Sequence, residues 1–197
     1  MSLWEIEQEY AQKGYRFICG ADEAGAGPLA GAVYAAAVIL PLGLEIDGLN
    51  DSKKLTEKKR EELFDIIQEK AITWAINGVD VDEIDETNIL VARLKAMDMC
   101  IKMLEPKPDF ALIDGNRDAG IECAHVTVVK GDSRSANIAA ASILAKVTRD
   151  RYMVAMDRIY PEYGFAKHKG YPTKAHYEAL RKHGPCPIHR RTFLKNL

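Results

Sequence analysis

The chain has 197 residues, 47% of them hydrophobic and 28% charged, enough for one sizeable core in an ordinary globular protein. No apolar run reaches the roughly 18 residues that a membrane span needs. The longest candidate, Ala30 to Leu44, is interrupted by Gly31, Pro41 and Gly43, and Met1 to Glu7 lacks the basic and apolar regions of a signal peptide, so a cytoplasmic protein with no membrane partner is expected.

Tyr15 to Ala21 reads as a first strand and Ala32 to Leu40 as a second, with Gly25-Ala26-Gly27-Pro28 as the turn between them. Thr56 to Lys70 reads as a helix capped by Thr56, with Leu63, Phe64, Ile66 and Ile67 on its buried side. Ala71 to Val79 is a third strand, closed by Asn77-Gly78. Leu90, Leu94, Met97, Ile101 and Leu104 fall at helical spacing, and Pro106 ends that helix. Phe110 to Ile113 and His125 to Val129 are short strands. Ser133 to about Tyr160 is helical, and its Ala139-Ala140-Ala141-Ser142 run permits close backbone packing. One more short helix is expected near Thr173 to Lys182. The order implies an α/β domain over residues 1–160 with one mixed sheet, and a C-terminal lobe over residues 161–197.

The four cysteines, Cys19, Cys100, Cys123 and Cys186, are not spaced as a zinc or redox pair and read as reduced thiols. Net charge is only −2, but residues 130–197 hold 14 Lys and Arg against 5 Asp and Glu. Such a basic third suits either a phosphate-binding surface or a plain solvated face.

Acidic residues stand where predicted strands finish: Asp22-Glu23 after the first, Asp114 after the fourth, and Asp132 just beyond the fifth. Ligand sites of open α/β sheets gather at such ends. Carboxylates crowded together need cations to stay ionised, and oxygen ligands favour Mg²⁺ or Mn²⁺ over zinc. Two such ions are a standard device for in-line attack on a phosphodiester. Spacing alone also admits solvated turn residues. Asp22 and Glu23, as neighbours on a strand, share one site only if the strand ends there or Glu23 turns in. His125 reads as a strand-edge residue, and Asp150 as a salt-bridge or capping group.

Gly20-Ala-Asp22-Glu23-Ala-Gly25-Ala-Gly27-Pro28-Leu-Ala-Gly31 resembles the opening motif of type 2 ribonucleases H, the ribonuclease HII family. So do Leu49-Asn-Asp51-Ser52-Lys53-Lys54-Leu55, Asp114-Gly115-Asn116 and Val129-Lys130-Gly131-Asp132. The resemblance continues through Ala139-Ala-Ala-Ser142-Ile-Leu-Ala-Lys146-Val-Thr-Arg149-Asp150, Lys167-His168-Lys169-Gly170-Tyr171 and His189-Arg190-Arg191-Thr-Phe193. These blocks stand in the family's order over nearly the whole chain.

The resemblance implies a ribonuclease H-like fold: an α/β protein with a five-stranded mixed sheet flanked by helices and a small C-terminal helical lobe. It implies catalytic and metal-binding roles for Asp22, Glu23, Asp114 and Asp132, with two Mg²⁺ or Mn²⁺ ions. The implied activity is endonucleolytic cleavage of RNA in RNA/DNA hybrids and on the 5′ side of ribonucleotides embedded in duplex DNA, leaving 3′-hydroxyl and 5′-phosphate ends. Substrate contact is implied for Gly25, Ala26, Gly27, Lys53 and Tyr171, the turn and the tyrosine sensing the 2′-hydroxyl. Lys54 is a second candidate phosphate contact. The family usually carries Arg where Ala26 stands and Pro where Ala32 stands. The missing guanidinium removes a charge-assisted bond of about 1.5–3 kcal/mol. Two rival readings remain at this stage: a catalytically weakened hybrid-binding protein with relaxed junction recognition, and another nuclease such as a resolvase or integrase. A monomer is the default expectation.

Overall fold

A computed structural model describes residues 2–50 and 52–195, the Lys54 side chain excepted. Asp51 and the expected Lys54 contact therefore lie outside the described residues. The strands are β1 (Ile18–Ala24), β2 (Val33–Ile39), β3 (Thr73–Val79), β4 (Phe110–Asp114) and β5 (His125–Val128). They form one five-stranded sheet in the order β3-β2-β1-β4-β5. β2 runs antiparallel to β1 and β3, whereas β1, β4 and β5 are parallel, so the sheet is mixed as expected.

The helices are α1 (Glu5–Gln12), α2 (Glu57–Lys70), α3 (Val81–Glu86), α4 (Ile89–Met103), α5 (Ala136–Ile159), α6 (Phe165–His168) and α7 (Lys174–His183). Leu94, Met97, Cys100 and Ile101 of α4 pack on Cys19 and Ala21 of β1 and Ala35 and Ala37 of β2. Ala140, Ala141 and Leu144 of α5 cover Ala36 and Val38 on the other face, with Leu63, Phe64 and Ile67 of α2 closing that layer. Both faces are therefore buried, which is why β1 and β2 read as continuous apolar runs rather than alternating ones.

Small residues let α5 approach β1. A Cβ on Gly20 would stand 2.2 Å from the Ile138 amide nitrogen. Asn137, fully enclosed there, donates to the Ile18 carbonyl at 3.0 Å and accepts from the Leu40 amide at 2.8 Å. The helix begins at Ser135, whose hydroxyl accepts from the Ile138 amide and donates to the buried Glu7 carboxylate at 2.6 Å. An anion at this N-terminus complements the helix dipole.

Several sequence expectations need correction. β1 starts three residues later than expected and runs through Ala24, so Asp22 and Glu23 lie inside the strand and do not end it. Ser133 belongs to a 3₁₀ turn over Gly131–Ser133, and α5 starts only at Ala136. Leu90 sits in the first turn of α4 and is exposed, and Ile66 is only half-buried. The short helices α1, α3 and α6 have too few turns to show an apolar period.

Beyond Tyr160 the chain folds back on the loop between β1 and β2. Leu29, Ala30 and Met153 share a buried cluster with Tyr163, Phe165 and Leu180. Ala30 bridges to His189, and the Leu29 amide donates to the Gly170 carbonyl at 2.8 Å.

Candidate active site

Paired residues of an antiparallel ladder share a face. Asp22 pairs with Ala36, on the α5 side, and Glu23 with Ala35, on the α4 side. The two carboxylates thus leave β1 in opposite directions. Glu23 finds Arg93 of α4, whose Nη1 donates to its Oε1 at 2.8 Å. Its other oxygen, Oε2, is buried with no hydrogen-bond partner. Asp22 is buried, and its Oδ1 accepts the Glu23 amide at 2.7 Å.

Asp114 ends β4, next to β1 in the sheet, and accepts the Gly131 amide at 2.7 Å. That bond fixes the turn carrying Asp132, which is buried and meets Lys53 Nζ at 3.1 Å. The hydroxyls of Ser52 and Ser142 lie 2.6 Å apart and fasten the Lys53 segment to α5.

One cleft of about 220 Å³ is lined by Asp22, Glu23 and Asp114 together with Gly25, Ala26, Gly27, Lys53, Lys146 and Tyr171. Lys54 apart, eight of the nine candidate site residues named from the sequence therefore border one space. Asp132 is not part of its lining and joins through Lys53. Tyr171 is partly exposed, and a Cβ on Gly27 would stand 3.9 Å from its ring. The turn and the tyrosine thus form adjacent walls. Asp150 forms a salt bridge to Lys146 at 2.7 Å, as read from the sequence. Among the described residues His125 meets the Cys123 carbonyl and Asp118.

Burial raises the Asp22 carboxyl well above the usual range, and the charges of Glu23 and Asp114 push it further. Glu23 is raised by burial against the opposing pull of Arg93. Asp114 is raised by burial and by Asp132, less the bond from Gly131. Burial, more than any one neighbour, thus disfavours the charged carboxylates here. Among the described residues no three Asp, Glu, His or Cys side chains already converge as a finished ion cage. The donors nevertheless fit a hard cation: all are carboxylate oxygens, one is buried without a partner, and burial first, then mutual repulsion, raises the pKa values of Asp22, Glu23 and Asp114.

The family model described as ribonuclease HII matches residues 19–196. The chain belongs to the ribonuclease HII family. It is 57% identical to a ribonuclease HII of Acetivibrio thermocellus over 96% of this chain and 74% of that protein. It is also 57% identical to one from Aliivibrio fischeri, over 94% of this chain and 89% of that protein. Among solved structures, the ribonuclease H2 of Pyrococcus horikoshii OT3 superposes with a TM-score of 0.75 at 29% identity, over 90% of this chain and 93% of that one. Membership of ribonuclease HII makes the protein a nuclease of the ribonuclease H kind, and the superposition bears out the ribonuclease H-like fold.

Sequence reasoning missed Arg93, the partner of Glu23. A basic residue on an amphipathic helix gives no signal of its own, because only the sheet's register aims Glu23 at α4. Arg149 and Arg190 were visible inside motif blocks, but without a role. Both are completely buried.

Proposed function

We propose that this ribonuclease HII cuts the RNA strand of RNA/DNA hybrids and the 5′ side of single ribonucleotides in duplex DNA, at the cleft between Asp22 and Tyr171. The observation that carries this reading is the shared cleft: electrostatically strained carboxylates on one side, and the Gly25–Gly27 turn with Tyr171 on the other. Residues 1–160 then carry the chemistry, and residues 161–197 bring Tyr171 to it.

Asp22, Glu23, Asp114 and Asp132 would hold two divalent ions, Mg²⁺ or Mn²⁺. When bound, such ions supply charge neutralisation at the phosphodiester and a more acidic water. The protein's own groups do the positioning. Backbone amides of the turn donate toward the ribose 2′-hydroxyl, the group that separates RNA from DNA at one nucleotide. The Tyr171 ring lies against the sugar. Lys53 is mostly exposed beside Asp132 and meets a phosphate of the incoming strand. The oxygen of water forms a bond to phosphorus as the bond to the 3′ oxygen breaks. The products are a 3′-hydroxyl and a 5′-phosphate.

Among the described residues no helix is long and apolar enough to cross a membrane. We place the protein in the cytoplasm, acting as a monomer. Three labelled substrates test the function: a long hybrid, a DNA duplex with one ribonucleotide, and the same duplex without it, each with Mg²⁺ and then Mn²⁺. Cutting of the first two and not the third is expected. Cutting of the all-DNA duplex would move the protein to another nuclease class. No cutting at all would leave a binding protein.

A further inference from the structure

The loop between β1 and β2 is held from behind by two buried arginines, and the holding fixes which way its amides face. Arg149 Nε donates to the Ala32 carbonyl at 3.3 Å, and its Nη2 to Ala30 at 3.1 Å. Arg190 does more. Its Nη2 donates to the carbonyls of Gly25 at 2.6 Å and Gly31 at 2.7 Å. Its Nη1 donates to Ala26 at 3.1 Å and Pro28 at 2.9 Å, and its Nε to Gly31 at 3.0 Å. One guanidinium thus gathers four carbonyls of an eight-residue loop.

In a trans peptide the C=O and the following N–H point in opposite directions. With the Gly25 and Ala26 carbonyls turned back to Arg190, the amides of Ala26 and Gly27 turn forward. Gly25, Ala26 and Gly27 line the cleft on that side. None of these three amides donates to a protein acceptor among the described residues.

Burying this cation is unfavourable. Arg190 is fully enclosed with carbonyls in place of a carboxylate. Burial and the nearby charge of Arg149 lower its pKa to about 9. Apolar packing would fill such a space at lower cost. A five-donor fork can serve four carbonyls at once, and lysine offers only a point charge. The segment bearing Arg190 is in turn fastened by Asp85 in α3. Its carboxylate accepts the Arg191 amide at 2.7 Å, the Thr192 amide at 3.0 Å and the Thr192 hydroxyl.

We infer that Arg190 is a positioning residue for ribonucleotide recognition: it holds the Gly25–Gly27 turn so that the Ala26 and Gly27 amides meet the 2′-hydroxyl, and Asp85 fastens it in place. The inference rests on the ribose-sensing reading proposed above. It would also let recognition persist with alanine at position 26, because the donors are backbone amides set from behind and not a side chain.

The test is a selectivity ratio, the affinity for a duplex with one ribonucleotide over that for the identical all-DNA duplex. Fluorescence anisotropy in Ca²⁺, which shares the oxygen ligands, measures it alongside thermal unfolding. Wild type should show a ratio well above one. Arg190→Lys should bring it close to one, while affinity for the all-DNA duplex holds within about twofold. Asp85→Ala, a surface change, should lower the ratio about threefold in a fully folded protein. A merely structural role would lower the melting temperature or both affinities together and leave the ratio alone. A folded Arg190→Lys with the wild-type ratio overturns the inference; should that variant not fold, an unchanged ratio in Asp85→Ala does so. A wild-type ratio of one would instead remove the ribose-sensing reading itself.

Discussion

Replacing Asp22 by Asn should make the ion-free protein more stable while removing its activity. Asp22 is 5% exposed, lies near Glu23 and Asp114, and has as its cationic counterweight Lys53, a mostly exposed and hence screened group. Its folded pKa is raised, so the folded state binds a proton more tightly than the unfolded chain does. Stability in EDTA must then fall as pH rises above the ordinary carboxylate range near 4. Asn keeps the volume and the acceptor for the Glu23 amide, and discards the charge. A gain on the order of 1 kcal/mol at pH 8 is expected, or roughly 2–4 °C in melting temperature for a chain of this size. The gain should shrink as pH falls through the raised pKa of the wild-type carboxyl. Saturating Mn²⁺ or Mg²⁺ reverses the order. At 100 times the dissociation constant, binding adds about 2.7 kcal/mol to wild type and much less to the variant. Thermal melts from pH 5 to 8, with EDTA and with metal, read all of this. An Asp22→Asn protein that melts lower than wild type in EDTA at pH 8, or a difference independent of pH, would refute the reasoning.

Restoring a guanidinium with Ala26→Arg should tighten binding to the ribonucleotide duplex by about 1.5–3 kcal/mol, and steepen the slope of log K against log salt by about 0.9 if it meets one phosphate; titrations at several salt concentrations measure both. Tyr171→Ala should lower kcat/KM on the single-ribonucleotide duplex by tenfold or more with little change in melting temperature, since the ring is 40% exposed; Tyr171→Phe keeps the ring and should retain most of the rate. Asn137→Ala strands the buried Leu40 amide and Ile18 carbonyl, each at about 1–3 kcal/mol, so urea unfolding should show a loss of roughly 2–6 kcal/mol.

Much of the fold was legible because the long elements announce themselves physically. Thr56 does cap α2, accepting the Lys59 amide. The Leu94–Leu104 spacing marks the buried side of α4. Glycines and prolines between the strands place the turns. The boundaries near the site were the weak point. β1 was expected to stop at Ala21 because the apolar run stops there. Asp22 and Glu23 nonetheless extend the strand, their backbones being paired with Ala36 and Ala35 of β2. Hydropathy cannot register ladder hydrogen bonds made by charged residues.

The candidate site was legible as a set of residue types and not as a geometry. Motif blocks from five parts of the chain converge on one cleft, which no local pattern predicts. The sequence also raised the question of how two adjacent strand residues serve one site. The register answers in part: they leave β1 on opposite faces, Glu23 toward Arg93 on the α4 side, yet both border the same cleft at the end of the strand. Nor could Arg190 have been assigned from its motif, because its partners lie about 160 residues away at Gly25, Ala26, Pro28 and Gly31.

The most direct test of the account is the chemistry of the cut ends on a duplex carrying one ribonucleotide. Water attacking phosphorus at the carboxylate cleft predicts a nick on the 5′ side of that ribonucleotide, with a 3′-hydroxyl that a polymerase extends and a 5′-phosphate. A nick on the 3′ side, leaving a 2′,3′-cyclic phosphate and a 5′-hydroxyl, would mean that the ribose hydroxyl itself is the nucleophile, and would contradict it.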